Sequence, residues 1–326
     1  MKLHIMPRIV AVIMVLAVSV TVFNGCGPGA NKEQAADNAT SGSIKIAADE
    51  SVQPIIAEEL DAFMAGYPKA QISAVYTSEG EAMRLLLADS IRMAVMLRMP
   101  TTAETAAFEK QTAKLRTGYM ARDGVALILH PQTKDTLLTL GQIRAILTGD
   151  LKTRRQLNAK AADNDSLVCV FDRGNAGNIN YMQSRFALKT EEVKGKVFAA
   201  GSNTAVIEYV RTHPGAIGFI GVNWISDLDA PTHRTFSESI RVASISDTNG
   251  MAGLNYYQPD QASLKTGEYP LRRELILVSR EGHFGLASGF MTYALSHIGQ
   301  RIVLKSGLMP AMVPGREVHL NAKISK

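Results

Sequence analysis

Three strand–turn–helix units follow one another near the start of the chain, and they constrain the fold more than any other feature of the sequence. The first unit alternates apolar and polar residues over 43–48, and its helix has apolar residues at helical spacing over 55–63. The second unit pairs a strand over 71–76 with a helix over 83–87, and a third strand covers 91–97. This succession predicts an α/β domain with a largely parallel sheet.

Polar residues stand in the turn that follows each of these strands. Right-handed crossover connections place such turns at one edge of a parallel sheet, where the side chains are Ser51, Thr77, Ser78, Glu79, Arg98 and Thr101. Ser51 and Thr101 could equally serve as helix caps, and Glu79 stands near a helix start, where an acid is favoured without any ligand. Arg98 is harder to explain structurally, because a strand end is a costly place to hold an unpartnered charge.

A fourth turn follows the apolar run Leu167–Phe171, which reads as a buried strand leading into a helix that continues through Phe186. This turn supplies Asp172, Arg173, Asn175 and Asn178. The backbone N–H groups of a helix start lack partners within the helix, and the helix dipole favours an anion beside them. An ordinary strand-to-helix connection would show the same pattern, so the turn alone does not decide between the two interpretations.

Together the four turns offer hydroxyls, amides, two guanidinium groups and several helix starts, a set that suits a small oxyanion. The acids could accept a hydrogen bond from a protonated oxyanion or orient the arginines. The sequence contains no Gly-x-Ser-x-Gly elbow, no Walker loop and no HExxH motif, and no nucleophile has an evident base. We therefore expect a binding protein with no catalytic residues, rather than an enzyme.

The composition describes a globular protein and excludes several functions. A chain of 326 residues, with 46% hydrophobic and 20% charged residues, is long enough for two domains. Without Lys2 and Arg8, which lie in a targeting segment, 33 basic and 30 acidic residues give a net charge of +3, too even a balance to favour nucleic acid. The seven histidines form no close pair, so we expect no metal and no cofactor.

The N-terminus reads as a targeting segment over 1–26, with basic residues before an apolar run that stops at Asn24-Gly25-Cys26. The run is short for a membrane span, and a cysteine directly after Gly25 resembles a bacterial lipobox. We expect Cys26 to carry a lipid and 27–42 to form a flexible tether; a plain secretory signal with an incidental cysteine is the alternative. Cys169 then remains, and we expect it to be a small buried hydrophobe.

In order and spacing, several motifs of the chain resemble those of periplasmic phosphate-binding proteins, the substrate-binding components of phosphate ABC transporters. The lipoprotein branch is the most similar, and the resemblance covers about residues 43–310. It rests on Ala47-Ala-Asp-Glu-Ser51 with Pro54, Thr77-Ser-Glu-Gly-Glu81, Asp89–Arg98, Asp123-Gly-Val-Ala-Leu-Ile128, Ile146-Leu-Thr-Gly149, Gly215–Trp224 and Tyr269-Pro-Leu271.

This resemblance implies a two-lobed type II periplasmic-binding fold. Residues 43–122 with 271–326 would form lobe 1, residues 123–270 would form lobe 2, and strands beginning at Asp123 and Leu271 would cross between them. Phosphate would lie in the interlobe cleft, held by the turns named above. The implied partners are inorganic phosphate and an ABC permease, and we expect a periplasmic, lipid-anchored monomer.

One segment departs from the family. The family usually has a turn of the Ser-Gly-Thr type after its fourth-site strand, whereas the matching segment here is Asn175-Ala-Gly-Asn178, which has no hydroxyl. Backbone N–H groups survive this change, and asparagine amides can donate. Another oxyanion, or an interaction or sensory protein that kept the fold and lost the ligand, therefore stays open.

Overall fold

The computed structural model describes residues 37–159, 164–173, 177–226, 235–236, 238–247 and 255–313. The strands are β1 (Gly42–Asp49), β2 (Ala70–Thr77), β3 (Met93–Met96), β4 (Arg116–Leu129), β5 (Leu137–Thr139), β6 (Val168–Phe171), β7 (Val197–Ala199), β8 (Ala216–Gly221), β9 (Arg241–Val242), β10 (Ser244–Ser246), β11 (Arg272–Ser279) and β12 (Met309–Pro310). The helices are α1 (Gln53–Gly66), α2 (Glu79–Leu87), α3 (Thr102–Glu109), α4 (Leu140–Thr148), α5 (Arg154–Leu157), α6 (Gly177–Phe186), α7 (Asn203–Thr212), α8 (Gln261–Thr266), α9 (Leu286–Leu295) and α10 (His297–Lys305). Short 3₁₀ helices cover Glu50–Val52, Thr190–Glu192 and Val222–Trp224.

The three units predicted near the start of the chain are confirmed. β1 pairs in parallel with β2 on one side and with β3 on the other. Pro54 lies in the first turn of α1, where proline is tolerated, and Ser78 and Thr101 cap α2 and α3 through their hydroxyl groups. The turns after β1, β2 and β3 therefore lie at one edge of the sheet, as the crossover rule requires.

One long strand connects the two halves of the sheet, whose order is β2-β1-β3-β11-β4-β8-β6-β7. β4 is 14 residues long, and it pairs antiparallel with β11 through Gly124 and then with β8 from Val125 onward. Beyond β8, β6 pairs in parallel with both β8 and β7. β4 and β11 match the two strands predicted to cross between the lobes, while the exact lobe limits stay a prediction.

Both faces of the first half of the sheet are covered. One apolar cluster joins strand residues such as Ile46 and Leu277 to Phe63 of α1 and Phe290 of α9. On the other face, a second cluster includes Leu86 of α2 and Phe108 of α3. The interior strand β3 (Met93–Met96) is accordingly a continuous apolar run, whereas β1 and β2 begin with alternating buried and exposed residues.

The second half of the sheet has its own core. Phe171 of β6 stacks on Phe219 of β8 with ring centroids 4.5 Å apart. Cys169 is completely buried in the same cluster, which confirms the prediction that it is a small core residue. Burial raises the pKa of its thiol to about 12, so the thiolate does not form near neutral pH.

Some predicted elements differ from the observed ones. β4 begins at Arg116 rather than at Asp123, where we expect the first crossing strand to begin. Near the end of the described chain, two helices, α9 and α10, meet at Ser296. Ser296 has extended backbone angles, and its hydroxyl accepts from Ile298 N, so it caps the second helix.

The signal peptide, Cys26 and most of the predicted tether lie outside the described residues. At the end of the tether, Asp37 Oδ1 accepts from Leu286 N (3.1 Å) at the start of α9. Over the part of the chain that the structure describes, no helix has the length and hydropathy needed to cross a bilayer.

Candidate functional site

The site forms where the 3₁₀ turn after β1 meets the start of α6 and the paired strands β4 and β11. We call residues Asp49–Val52 the Asp49 turn. Asp49 is 1% exposed and Ser51 is fully buried, because the turn follows a strand that is covered on both faces. Polar groups this deeply buried need partners, and both find several.

The Asp49 carboxylate accepts hydrogen bonds from three donors. Its Oδ1 accepts from Ser51 N (3.0 Å) and Ser51 Oγ (2.6 Å), and its Oδ2 accepts from Gly177 N (3.1 Å) at the start of α6. A side chain at position 177 would overlap the carboxylate, so only glycine allows this approach. The donors and the helix dipole together stabilise negative charge at this point.

Arg273 of β11 connects the Asp49 turn to the crossing strands. It donates from Nε to Asp123 Oδ2 (2.8 Å), from Nη1 to Asn178 Oδ1 (2.9 Å) and from Nη2 to Ser51 Oγ (2.9 Å). Burial alone would lower the pKa of Arg273, but the charges of Asp123 and Asp49 raise it above its ordinary value. The guanidinium therefore stays protonated and joins both halves of the molecule to the turn.

Three side chains of the predicted second lobe donate to the backbone of the Asp49 turn. Asn223 Nδ2 and Trp224 Nε1 both donate to Ser51 O, at 2.8 and 3.1 Å. Asn203 Nδ2 donates to Glu50 O at 3.4 Å. The carbonyl oxygens of the turn are therefore satisfied by side chains that are distant in sequence.

Asp172, at the end of β6, lies beside this network. It is fully buried, its Oδ2 accepts from Asn203 Nδ2 (3.3 Å), and its Oδ1 has no hydrogen-bond partner among the described residues. Burial, helped by the nearby Asp49 charge, raises the pKa of Asp172 to about 6. Next to it, Arg173 forms an ion pair with Glu50 (2.7 Å). This pair lies at the surface of the junction, by which we mean the region where the Asp49 turn meets the start of α6 and strands β4 and β11.

The acids and bases after β2 and β3 form a second cluster. Arg98 binds Glu104 through two hydrogen bonds of 2.8 Å, and Arg98 holds the pKa of Glu104 down to about 2. Glu79 Oε1 accepts from Leu97 N (2.5 Å), and its other oxygen lies 3.8 Å from Arg98 Nε. Burial raises the pKa of Glu79 above its ordinary value.

The predicted site residues therefore fall into two groups. Ser51, Asp172, Asn178 and Arg173 come together around the Asp49 turn. The hydroxyls of Ser78 and Thr101 accept from the N–H groups of their own helices, Thr77 pairs with Asp49 across β1 and β2, and Arg98 is held by Glu104. Asn175 lies outside the described residues.

The residues that join the Asp49 turn to the predicted second lobe and the crossing strands were not predicted as site residues; they are Asp49, Asp123, Asn203, Asn223, Trp224 and Arg273. Arg273 could have been predicted as a site residue from its position in the strand. It occupies an inward position in a strand where Arg272 and Glu274 point outward, and such a position is as costly as a strand end for a charge without a partner. Asp49 gave no such signal, because an acid after a strand is an ordinary turn residue.

The fold and the buried polar junction between two α/β halves define a solute-binding class of protein, and comparisons with known proteins agree. The family described as "PBP superfamily domain" matches residues 33–297, and the chain belongs to this family. Among curated proteins, it is similar to the phosphate-binding protein PstS of Bacillus subtilis, with 22% identity over 91% of this chain and 92% of that one. PstS of Pseudomonas aeruginosa PAO1 is 21% identical over 83% of each chain.

Solved structures support the same fold. A Clostridium perfringens protein with bound phosphate, assigned to the substrate-binding proteins of phosphate ABC transporters, superposes with a TM-score of 0.69 at 21% identity, covering 83% of this chain and all of that one. An ABC-type phosphate transport receptor from Vibrio cholerae gives 0.61 at 17% identity, covering 82% of this chain and 99% of that one. The predicted type II periplasmic-binding fold is therefore confirmed.

Proposed function

We propose that this protein captures inorganic phosphate between its two lobes and delivers it to the permease of an ABC transporter. The curated relatives named above are phosphate-binding proteins, and the similarity to the Bacillus subtilis protein spans nearly the full length of both chains. The relatives are named as binding proteins, which supports the prediction that the chain catalyses no reaction. On binding, fixed hydrogen-bond donors of the protein would replace the water molecules that hydrate the anion.

The observation that carries this proposal is the way the junction holds the Asp49 carboxylate. Ser51 N, Ser51 Oγ and Gly177 N converge on an anionic oxygen group at a helix start, and Arg273 lies beside them. Phosphate presents acceptor oxygens of the same kind to such donors. A small oxyanion is therefore the ligand class that this set of residues fits best.

The location that we propose is extracytoplasmic, with a lipid on Cys26 that anchors a monomer to a bacterial membrane. The support is the order of the basic region, the apolar run and Cys26 in the sequence, since these residues lie outside the described part of the chain. Metabolic labelling with a fatty acid should mark the protein, and Cys26→Ser should abolish the label. Labelling that persists in this variant would refute Cys26 as the lipid site.

Calorimetric titration of the purified protein tests the ligand. Phosphate, sulfate, molybdate and citrate are titrated separately at the same pH and ionic strength, because salt screens the attraction of anions. We expect saturable 1:1 binding of phosphate, with the other anions bound more weakly. Binding of sulfate or citrate in preference to phosphate would move the proposal to that anion.

A second candidate function is an interaction or sensory protein that kept the fold and lost the ligand. It is favoured by a specific observation: Gly177 N, Asn203 Nδ2, Asn223 Nδ2 and Trp224 Nε1 already have acceptors within the chain. A ligand that binds the folded state raises the melting temperature. A melting temperature unchanged by all four anions would support this second function over the first.

A further inference from the structure

The Asp49 turn occupies the junction in the manner of a bound ligand. Its acceptor oxygens are a side-chain carboxylate and two backbone carbonyls, and all three face donors from the predicted second lobe. Those donors are Gly177 N, Asn203 Nδ2, Asn223 Nδ2 and Trp224 Nε1. In a two-lobed binding protein, contacts of this kind from the far lobe are what a ligand uses to favour the closed form.

The carboxylate of Asp49 holds the position at the start of α6 that an anion would need. α6 is ten residues long, and Gly177 N is the donor that it presents to Asp49 Oδ2. The carboxylate lies so close to Gly177 that even a single added carbon atom there would overlap it. A phosphate oxygen cannot reach Gly177 N while the Asp49 carboxylate stays in place.

Charge repulsion also excludes phosphate from this position while the Asp49 carboxylate is in place. Phosphate and Asp49 are both negative, and two such charges in contact within a buried site repel strongly. The buried cation at the junction, Arg273, is already paired with Asp123 at 2.7 Å, while Arg173 is half exposed and paired with Glu50. Among the described residues of the junction, these pairs leave little positive charge to neutralise a second anion beside Asp49.

We propose that Asp49 is a built-in competitor for the anion site, so that phosphate reaches Gly177 N only when the Asp49 side chain has moved away. This inference rests on the proposed function and describes how that same site is regulated. The measured association constant then equals the intrinsic association constant multiplied by the fraction of molecules in which Asp49 has left. Changes that weaken the hold of Asp49 on Gly177 tighten phosphate binding.

Two variants of Asp49 test the proposal. Asp49→Asn keeps the shape and an acceptor for Ser51 N but removes the charge, and Asp49→Ser can still cap the 3₁₀ turn but is too short to reach Gly177 N. The control is Asp61→Asn, which removes the same charge from an exposed position on the adjoining helix α1. We expect both Asp49 variants to bind phosphate about tenfold more tightly or better, because a charge-assisted hydrogen bond has been lost from the competing state.

Trp224 provides a second readout, because it is the only tryptophan in the chain and donates to Ser51 O. Because Asp49 and Ser51 belong to the same turn, movement of the Asp49 side chain alters the contact between Ser51 O and the indole and shifts the emission of Trp224. We expect Asp49→Ser to show this shift before phosphate is added and the wild type to show it on adding phosphate. A variant that is merely less stable would show a lower melting temperature without tighter binding.

The outcomes separate this inference from the proposed function. Tighter binding in both Asp49 variants, with Asp61→Asn equal to the wild type, supports the competitor role. If the wild type binds phosphate and the Asp49 variants bind equally or more weakly, the competitor role is wrong while the proposed function stands. If neither the wild type nor any variant binds phosphate, both are wrong.

Discussion

Asp172 and Glu59 are buried carboxyl groups that form no ion pair among the described residues, and this makes each of them sensitive to pH. Asp172 lies in the junction with one oxygen unpartnered, and Glu59 lies on the inner face of α1 with both oxygens unpartnered. Burial of an unpaired carboxylate favours its protonated form. Each group therefore couples the free energy of unfolding to proton uptake.

For Asp172, we expect Asp172→Asn to stabilise the protein at pH 7.5. Burial raises the pKa of Asp172 from 3.8 to about 6 in the folded state, so its contribution to stability is present below pH 3.8 and is lost as the pH rises through 6. The asparagine variant never carries this charge, and its gain at pH 7.5 should be about 3 kcal/mol at most. Urea unfolding at several pH values measures it, and a gain that does not shrink between pH 7.5 and 4.5 would contradict the account.

For Glu59, we expect stability to depend on pH over a wider range. Burial, helped by the charge of Glu58, raises the pKa of Glu59 from 4.5 to about 9, so the folded protein keeps this carboxyl protonated at neutral pH. Its contribution to stability is lost steadily as the pH rises from 4.5 to 9. Glu59→Gln should therefore be more stable than the wild type by several kcal/mol at pH 8.5 and nearly equal at pH 4.

The matched control for Glu59 is Asp61→Asn, an exposed acid on the same helix α1. We expect its free energy of unfolding to follow that of the wild type at both pH values. Equal pH dependence in Glu59→Gln and the wild type would show that Glu59 is ionised in the folded protein, contrary to our prediction.

At the scale of elements, β4 and β11 carry the connection between the two halves of the sheet. They pair antiparallel from Arg116–Ser279 to Gly124–Arg272, and Asp123 and Arg273 lie directly opposite each other in this register. Their side chains form an ion pair at 2.7 Å that is 1% exposed on the arginine and fully buried on the aspartate. The pair therefore stabilises the crossing strands only while both partners are present.

We expect Arg273→Met to destabilise the protein by about 3–5 kcal/mol, because it leaves Asp123 buried without its cation. Combining it with Asp123→Asn should recover part of the loss, since the uncompensated charge is then gone. Arg272→Met is the control, as Arg272 is exposed and its backbone contact with Tyr181 Oη is unaffected. Chemical denaturation measures all four proteins, and a similar loss in Arg272→Met and Arg273→Met would contradict the special role of the buried pair.

Elements with strong local patterns were predictable from the sequence, and elements shaped by distant contacts were not. The first three strands and helices follow from hydrophobic periodicity and capping residues. The beginning of β4 has no regular alternation of polar and apolar residues, and it becomes a strand by pairing with β11, more than a hundred residues further along the chain. The break between α9 and α10 depends on a single serine cap at Ser296.

At the scale of the whole molecule, the site is made of pairs that no local pattern joins. Ser51 and Arg273 are 222 residues apart, and Asp49 and Gly177 are 128 residues apart. The prediction that the turns meet at one edge of the sheet correctly brought Ser51, Asp172 and Asn178 together as candidates. The partner that each one takes depends on how the two halves meet, which the crossing strands β4 and β11 determine.

The same long-range contacts connect the fold to function. The Asp49 turn belongs to the predicted first lobe, and its donors belong to the predicted second lobe, so the position of Asp49 and the closure of the lobes are coupled. A ligand shifts such an equilibrium only by its difference in affinity for the two forms. Phosphate that replaces Asp49 would take over contacts with the second lobe that the turn now makes.

A crystal structure of the protein grown with phosphate tests the central claim most directly. We predict phosphate in contact with Gly177 N and Ser51 Oγ, and the Asp49 carboxylate moved away from Gly177 N. A structure in which Asp49 Oδ2 still accepts from Gly177 N, at the present 3.1 Å, under saturating phosphate would contradict the account.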